Sequence, residues 1–153
     1  RSSAARYDPA PAQTVCPAAP PVSMRPRYRD LFDALLDPDP ARTDAAYDAV
    51  LFDRAEALPD LEELLNTSPD PLLRFYAIQL MGFTEDKSAV PMVEKALEDP
   101  DASVRAEACR ALEDLRSRGS VAVLDARLDD MDAKVRRAAR EALAVLGGGR
   151  RRS

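Results

Sequence analysis

The sequence predicts an all-α protein in which helical hairpins stack side by side as a solenoid. The 153 residues contain a repeat of 31 residues, marked by one aspartate in each unit: Asp39, Asp70, Asp101 and Asp132. Inside the units, apolar residues are spaced by four, as they are along one face of a helix. A proline precedes three of the four aspartates, and a proline at such a boundary ends one helix before the next begins.

The chain opens with a segment that is not expected to fold alone. Residues 1–27 are rich in proline and alanine and hold few large apolar side chains, so they bury too little surface to offset the entropic cost of ordering. We therefore expect an extended N-terminal arm, followed by a single helix over 28–36 that begins the stack. Leu31, Leu35 and Leu36 give that helix its apolar face.

Three full units are predicted at about 39–69, 70–100 and 101–131, each made of two helices joined by a turn. The apolar stripe of the first helix recurs as Leu73, Ala77 and Met81, then Val104, Ala108 and Leu112, then Val135, Ala139 and Leu143. The stripe of the second helix recurs as Val90, Val93 and Leu97, then Val121, Leu124 and Leu128. A hairpin cannot cover its own apolar face, so the units are expected to stack and share one core.

A last helix over 132–147 closes the repeat domain, which spans 28–149, and a basic tail follows at 150–153. The aspartate of each unit stands where a first helix begins, and we expect it to act as an N-cap or as a first-turn anion. The first unit is looser than the others, because Thr43 stands where they have an arginine.

These units resemble HEAT repeats, specifically the short HEAT-like repeats of phycobilin-lyase subunits. The resemblance rests on the run Val-Arg-x-x-Ala-x-x-Ala-Leu at 104–112 and 135–143, and it covers about residues 28–149. It implies a right-handed solenoid in which recurring Asp and Arg side chains pair between neighbouring units as a ladder. By position, the ladder residues are Asp70, Arg74, Asp101, Arg105, Asp132 and Arg136. Thr43 departs from this pattern, so the ladder is expected to end one unit early.

The composition argues against most catalytic chemistry. The chain has no histidine and only two cysteines, Cys16 and Cys109, which removes imidazole bases, His-ligated metals and Cys–His pairs. Paired acids such as Glu62 and Glu63 are interpreted as solvated groups. We therefore expect no catalytic residue, no metal and no cofactor. Cys109 is interpreted as a buried thiol, whereas a disulfide with Cys16 would need an oxidising compartment.

The net charge of −5 conceals an uneven distribution along the chain. Residues 30–66 carry eleven acidic and two basic side chains, whereas residues 132–153 carry seven basic and two acidic ones. Residues 1–29 add five arginines and one aspartate. The sequence thus predicts a charge dipole, acidic near one end of the fold and basic at both tails.

Solenoid surfaces ordinarily bind other proteins, and two candidate surfaces are predicted. The first is the face of the second helices, which is mostly acidic and would suit a basic partner. Its residues are Glu62, Glu63, Glu94, Lys95, Glu98 and Asp125. The second is an aromatic stripe on the helix near residue 71, made of Leu72, Phe75, Tyr76 and Phe83. Either the preceding helix, with Tyr47, Val50 and Leu51, or the N-terminal arm covers this stripe, or a partner does.

The predicted function is a non-catalytic protein-interaction or scaffold module, an accessory subunit of a larger assembly, with no small-molecule substrate. A bilin-lyase-like enzyme subunit is an alternative that the resemblance implies. Nucleic-acid binding is a further alternative, disfavoured because no aromatic residues are interleaved to stack bases and the acidic middle would repel phosphate. It would use Lys134, Arg136, Arg137, Arg140 and Arg150–Arg152. No apolar run approaches the roughly 20 residues of a membrane span, and we expect a cytoplasmic location unless a signal peptide has been removed.

Overall fold

Helices make up most of the chain that the computed structural model describes, residues 24–147. The α-helices in this range are α1 (Pro26–Ala34), α2 (Pro40–Asp53), α3 (Leu58–Thr67), α4 (Pro71–Phe83), α5 (Val90–Ala96), α6 (Ala102–Asp114), α7 (Val121–Ala126) and α8 (Ala133–Leu146). Short 3-10 turns lead into α3, α5 and α7, and another follows α7. Between residues 24 and 147 there is no strand, which confirms the all-α prediction.

The helices form two layers. In the first layer, α4, α6 and α8 pack side by side, whereas α2 contacts α4 at only a few residues and packs mainly on α1. In the second layer, α1, α3, α5 and α7 each pack on the first-layer helix that follows them in the chain. The predicted solenoid of helical hairpins is therefore confirmed, and the apolar core lies between the layers.

Each first-layer helix begins at the aspartate that marks its unit. The side chains of Asp39, Asp70, Asp101 and Asp132 accept backbone N–H groups two residues ahead, at 3.0, 2.9, 2.8 and 2.7 Å. Their backbones are extended, as an N-cap requires. The capping role predicted from the spacing is confirmed, and such a cap contributes about 1 kcal/mol to helix stability.

The predicted first-helix stripe lies in the core, with alanine at its centre in each unit. Ala77, Ala108 and Ala139 are fully buried, and this lets the first-layer helices approach closely. At Gly82 of α4, an added Cβ would lie only 3.1 Å from the Cα and Cβ of Ala111 in α6. Small residues therefore set the spacing between neighbouring units.

The folded part begins earlier than the predicted boundary at residue 28. Helix α1 starts at Pro26 and ends at Ala34, and Arg25 in front of it is held by Asp60 of α3. The Arg25 backbone N–H, Nε and Nη2 donate to the Asp60 carboxylate at 2.8, 2.9 and 2.6 Å. Asp60 is only 1% exposed, and a carboxylate buried to that extent needs a cation beside it. The predicted tail at 150–153 and the rest of the predicted arm lie outside the described residues.

Candidate functional site

Arginines near the start of two first-layer helices form ion pairs, which we call rungs, with aspartates on the turn that ends the same unit and leads into the next. Arg74 donates to the Asp99 carboxylate from Nε at 2.9 Å and from Nη2 at 3.1 Å. Arg105 donates to the Asp130 carboxylate in the same way, from Nε and from Nη2, with both distances at 3.1 Å. Such bidentate, charge-assisted contacts fix the distance and the orientation between the start of a unit's first helix and the turn that ends the unit.

The acidic partners of these arginines differ from the predicted ones. The family pattern placed Asp70, Asp101 and Asp132 in the ladder, but these carboxylates cap helices and are engaged with backbone N–H groups. The acid two residues earlier takes the arginine instead, because its carboxylate lies on the turn between units. The predicted ladder is therefore corrected to Arg74–Asp99 and Arg105–Asp130.

The turn itself orients each rung aspartate. The Oδ1 atoms of Asp99 and Asp130 accept the backbone N–H of the capping aspartate that follows, both at 2.9 Å. Burial alone would raise the pKa of Asp130, but the hydrogen bonds from Arg105 and from the Asp132 backbone hold that pKa below its ordinary value. The pKa of Arg74 is raised, chiefly by its hydrogen bond to Asp99. Both shifts favour the charged forms of Asp130 and Arg74.

The ladder is incomplete at both ends of the described range. In the first unit Thr43 replaces the arginine, and its hydroxyl donates to the carbonyl of Asp37 at 3.0 Å and forms no rung. In the last unit Arg136 donates from Nη1 to the carbonyl of Asp130 at 2.7 Å. Among residues 24–147, no carboxylate forms an ion pair with Arg136.

The surface formed by α3, α5 and α7, which we call the second-helix face, offers two free acids. Glu62 and Glu98 are exposed, and neither side chain has an ion pair or hydrogen bond within the described part of the chain. Between α3 and α5 lies a shallow hollow of about 320 Å³, lined by Leu65, Asn66 and Lys95 as well as Glu98. Lys95 reaches across it to donate to Asn66 at 3.3 Å.

The other predicted acids of this face are partly withdrawn from solvent. Glu94 is half-buried and accepts the Ser120 hydroxyl at 2.5 Å, which links α5 to the turn before α7. Glu63 and Asp125 are also half-buried, and the Oε2 atom of Glu63 is buried without a hydrogen bond. Six predicted residues thus lie on one face, but only Glu62, Lys95 and Glu98 are exposed to a partner.

The aromatic stripe is divided by a contact from the preceding helix. The ring of Tyr76 meets Tyr47 of α2 edge-on at 6.1 Å and lies 6.0 Å from that of Phe75. Leu72 and Phe83 remain 45% and 43% exposed, but they stand at opposite ends of α4, about 16 Å apart along its axis. The stripe is therefore not one continuous surface, and α2 covers its centre.

A cleft beside Phe83 gathers carboxylates that the sequence analysis missed. It is lined by Phe83, Gln79, Glu107, Arg110, Glu113, Asp114 and Glu141. Burial raises the pKa of Glu107, although hydrogen bonds from Arg110, whose Nη1 lies 3.1 Å away, and from Gln79 oppose the shift. Burial also raises the pKa values of Glu113 and Asp114. The sequence signal was present, because Glu107 stands one repeat after the apolar position of Tyr76.

The remaining features concern metals, thiols and basic residues. Over residues 24–147 no three His, Cys, Asp or Glu side chains converge in a way that would hold a metal ion. In that range no helix is long and apolar enough to cross a membrane.

Burial raises the pKa of the Cys109 thiol to about 12, so it is not a nucleophile near neutral pH. Of the predicted basic cluster, Lys134, Arg137 and Arg140 lie exposed on α8, whereas Arg150–Arg152 lie beyond the described residues.

Comparison with known proteins identifies the repeats. A family model described as HEAT repeats matches residues 58–144. The crystal structure of an engineered protein is similar, with 22% identity and a TM-score of 0.51, over 80% of this chain and 63% of that one. The complex of CpcE and CpcF of phycocyanin lyase from Nostoc sp. PCC7120 matches with 18% identity and a TM-score of 0.45, over 80% of this chain and 65% of that one.

At these identities the likeness concerns the fold alone. The chain spans less than two thirds of the length of either structure, and no curated protein matches it. The family match covers more than half of the chain and includes both rungs. The chain belongs to the HEAT-repeat family.

Proposed function

We propose that this chain is a non-catalytic interaction module, an accessory subunit that binds a protein with a basic surface through the second-helix face. Stacked helical repeats present extended surfaces of this kind to other proteins. The observation that carries the proposal is the pair Glu62 and Glu98, two exposed acids with no partner of their own in the described chain. Acids that are not neutralised within the fold are available to steer and orient a basic partner.

The hollow between α3 and α5 supports the same proposal. Its floor includes Leu65, and Glu98 stands at its rim, so a lysine or arginine of the partner has an apolar surface for its stem and a carboxylate for its charge. Because the acids are solvated, they are expected to contribute more to the association rate and to specificity than to affinity. Binding is therefore expected to weaken as the salt concentration rises.

The test is charge reversal on this face. The chain and its Glu62→Lys/Glu98→Lys variant are used to capture proteins from the native source, and the captured proteins are quantified by mass spectrometry. A basic partner is expected to be lost from the variant and retained by an Asp114→Lys control, which reverses an exposed acid on the other layer. Equal capture by all three proteins would contradict the proposal. Loss with the control alone would place binding in the cleft beside Phe83 instead.

A further inference from the structure

A groove of about 720 Å³ lies along the edge where first-layer helices turn into second-layer helices. Three cations line it: Lys87 from the turn between α4 and α5, and Arg116 and Arg118 from the turn between α6 and α7. All three are exposed, and none of their side chains has an ion pair or a hydrogen bond within residues 24–147. We propose that this groove, which we call the turn groove, binds an acidic segment of a partner protein.

The acids on these two turns leave the three cations uncompensated. Glu85 faces Arg54 of the preceding turn at 3.6 Å, and Asp86 accepts the backbone N–H of Ser88 at 2.8 Å. Lys87 is therefore the free charge of the turn between α4 and α5. The turn between α6 and α7 holds two arginines and no acid. A concave surface with such an excess of positive charge attracts anionic groups.

Arg116 occupies a backbone position that favours glycine. Each first-layer helix is followed by a residue of positive φ, and these residues stand one repeat apart. They are Arg54, Glu85, Arg116 and Gly147, with φ values of 49°, 58°, 51° and 79°. A side chain makes this conformation less favourable, whereas glycine adopts it freely. The arginine at 116 therefore lowers the stability of the fold, and in the described chain its side chain makes no contact that would offset this. Strain of this kind is typical of functional positions.

The other residues of the turn groove decide which kind of anion fits. Glu113 and Asp114 also line it, so its charge is mixed. A nucleic-acid strand carries a phosphate at every nucleotide and would have to pass these two carboxylates. A protein segment can instead place its acids against the cations and neutral or basic residues against the carboxylates. Val90 and Val145 add apolar surface for such a segment, and among the described residues no aromatic side chain lines the groove to stack a base.

The turn groove is separate from the second-helix face and has free charges of the opposite sign. Glu62 and Glu98, which carry the proposed function, do not line it. A chain with both surfaces can hold an acidic protein and a basic protein at the same time. The inference does not depend on the proposed function, because different residues carry it. Since the three cations are solvated, salt is expected to weaken the binding of an acidic segment.

The first experiment is a selection with the full chain from a library of random peptides of about twelve residues, which span up to about 40 Å when extended. The selected peptides are expected to be richer in aspartate and glutamate than the starting library. An Arg116→Glu/Arg118→Glu variant is expected to select no such peptides, and circular dichroism checks its fold. A selection in which the original chain does not enrich acidic peptides would overturn the proposal.

The second experiment measures the affinity of the most enriched acidic peptide, labelled with fluorescein, by fluorescence anisotropy. Arg116→Gly and Glu85→Gly each replace a charged residue of positive φ by glycine, so both variants are expected to unfold at a higher urea concentration than the original chain. Only Arg116→Gly removes a cation from the turn groove. It is expected to weaken peptide binding about tenfold, as the loss of one hydrogen bond between charged groups does. Glu85→Gly is the matched control and is expected to bind like the original chain.

A variant that is more stable and yet binds less cannot have lost binding through unfolding. Arg118→Ser is expected to weaken binding to a similar extent. Binding that is unchanged in Arg116→Gly and Arg118→Ser, as it would be if the basic tail at 150–153 captured the peptide, would overturn the proposal. Equal losses in the two glycine variants would also overturn it.

Two further arms separate the alternatives. A single-stranded oligonucleotide of about twelve nucleotides is expected to bind more weakly than the acidic peptide, and tighter binding would overturn the proposal in favour of nucleic acid. The Glu62→Lys/Glu98→Lys variant is expected to retain the peptide. A failure of the proposed function on the second-helix face is therefore distinguishable from a failure of the turn groove.

Discussion

Single residues at the turns between units determine how the units are joined. Replacing Arg105 by alanine removes both charge-assisted hydrogen bonds from the nearly buried Asp130 carboxylate, which keeps only a longer contact of 3.7 Å with Arg127. We expect the free energy of unfolding to fall by about 3 kcal/mol, as when one partner of a buried ion pair is removed. Urea unfolding measures this. The matched control is Arg137→Ala, whose exposed pair with Glu141 is expected to contribute less than about 1 kcal/mol. Equal losses in the two variants would contradict a structural role for the rung.

A second residue-level prediction concerns pH. Burial raises the pKa values of Glu107, Glu113 and Asp114 in the folded state, so the folded protein holds protons that the unfolded chain has already lost. As pH rises from the unfolded pKa values to the folded ones, stability falls, and acidification from pH 7 toward the unfolded carboxyl pKa values of about 4 is therefore expected to raise the Tm.

Other groups set the lower limit of that window. The pKa of Asp130 is lowered in the folded state, so its contribution is lost only as pH falls below about 4. Glu107→Gln has no charge to bury, and on acidification from pH 7 toward about 4 its Tm is expected to rise less than that of the original chain. A Tm that rises equally in both proteins would show that Glu107 is not the group responsible.

Local and distant contacts differ in how far the sequence reveals them. The caps at Asp70 and Asp101 could be predicted, because an N-cap depends only on neighbouring backbone groups. The rung partner could not, because Asp99 lies 25 residues from Arg74, and the choice between Asp99 and Asp101 depends on how the turn orients the two carboxylates. A pattern does exist, since aspartate stands at 99 and 130, whereas Ser68 stands at the position that Thr43 would face.

At the scale of elements, α1 is held to α3 by a contact at its first turn. Arg25→Ala removes the cation that faces the buried carboxylate of Asp60. We expect the amides of α1 to exchange faster with deuterium, while those of α6 and α8 are unaffected. The matched control is Arg27→Ala, since Asp53 keeps its 2.6 Å hydrogen bond from the Tyr28 hydroxyl. Faster exchange in the control alone would assign the anchoring of α1 to Asp53.

The spacing between α4 and α6 gives another prediction at this scale. Gly82→Ala would place a Cβ against the backbone of Ala111, at a distance that requires the two helices to separate. The strain is expected to exceed the gain of about 1 kcal/mol in helix propensity, so the variant is expected to be less stable in urea. At Gly119 nothing lies within 4 Å of an added Cβ, so Gly119→Ala is the control and should not be destabilised. A more stable Gly82→Ala protein would contradict this close packing.

The positions of the helices could be predicted from the apolar periodicity. Which of their surfaces are covered by other helices could not. The apolar spacing identified the first helices and their buried alanines, and it also identified the stripe containing Phe75 and Tyr76. Whether a helix of the same chain covers that stripe depends on the angle between α2 and α4, which no local pattern encodes. The cleft at Glu107 was missed for a similar reason, because its burial comes from neighbouring helices.

At the scale of the whole molecule, the 31-residue repeat was sufficient to predict the solenoid. A repeat with one apolar face per helix leaves few other ways to bury that surface. The layers share one core, and each rung ties the first helix of a unit to the turn that leads into the next unit. We therefore expect a single unit to be unfolded when it is isolated, although the same unit is stable within the stack.

The most direct test of this account is the circular dichroism of one isolated unit. A peptide of residues 70–100 contains α4, α5 and the Arg74–Asp99 rung, but it lacks the neighbouring first-layer helices that pack beside Ala77. We predict that it is largely unfolded in water, while the whole chain is helical and melts in one cooperative transition. A peptide that is helical and melts cooperatively on its own would contradict the claim that these helices are stable only as a stack.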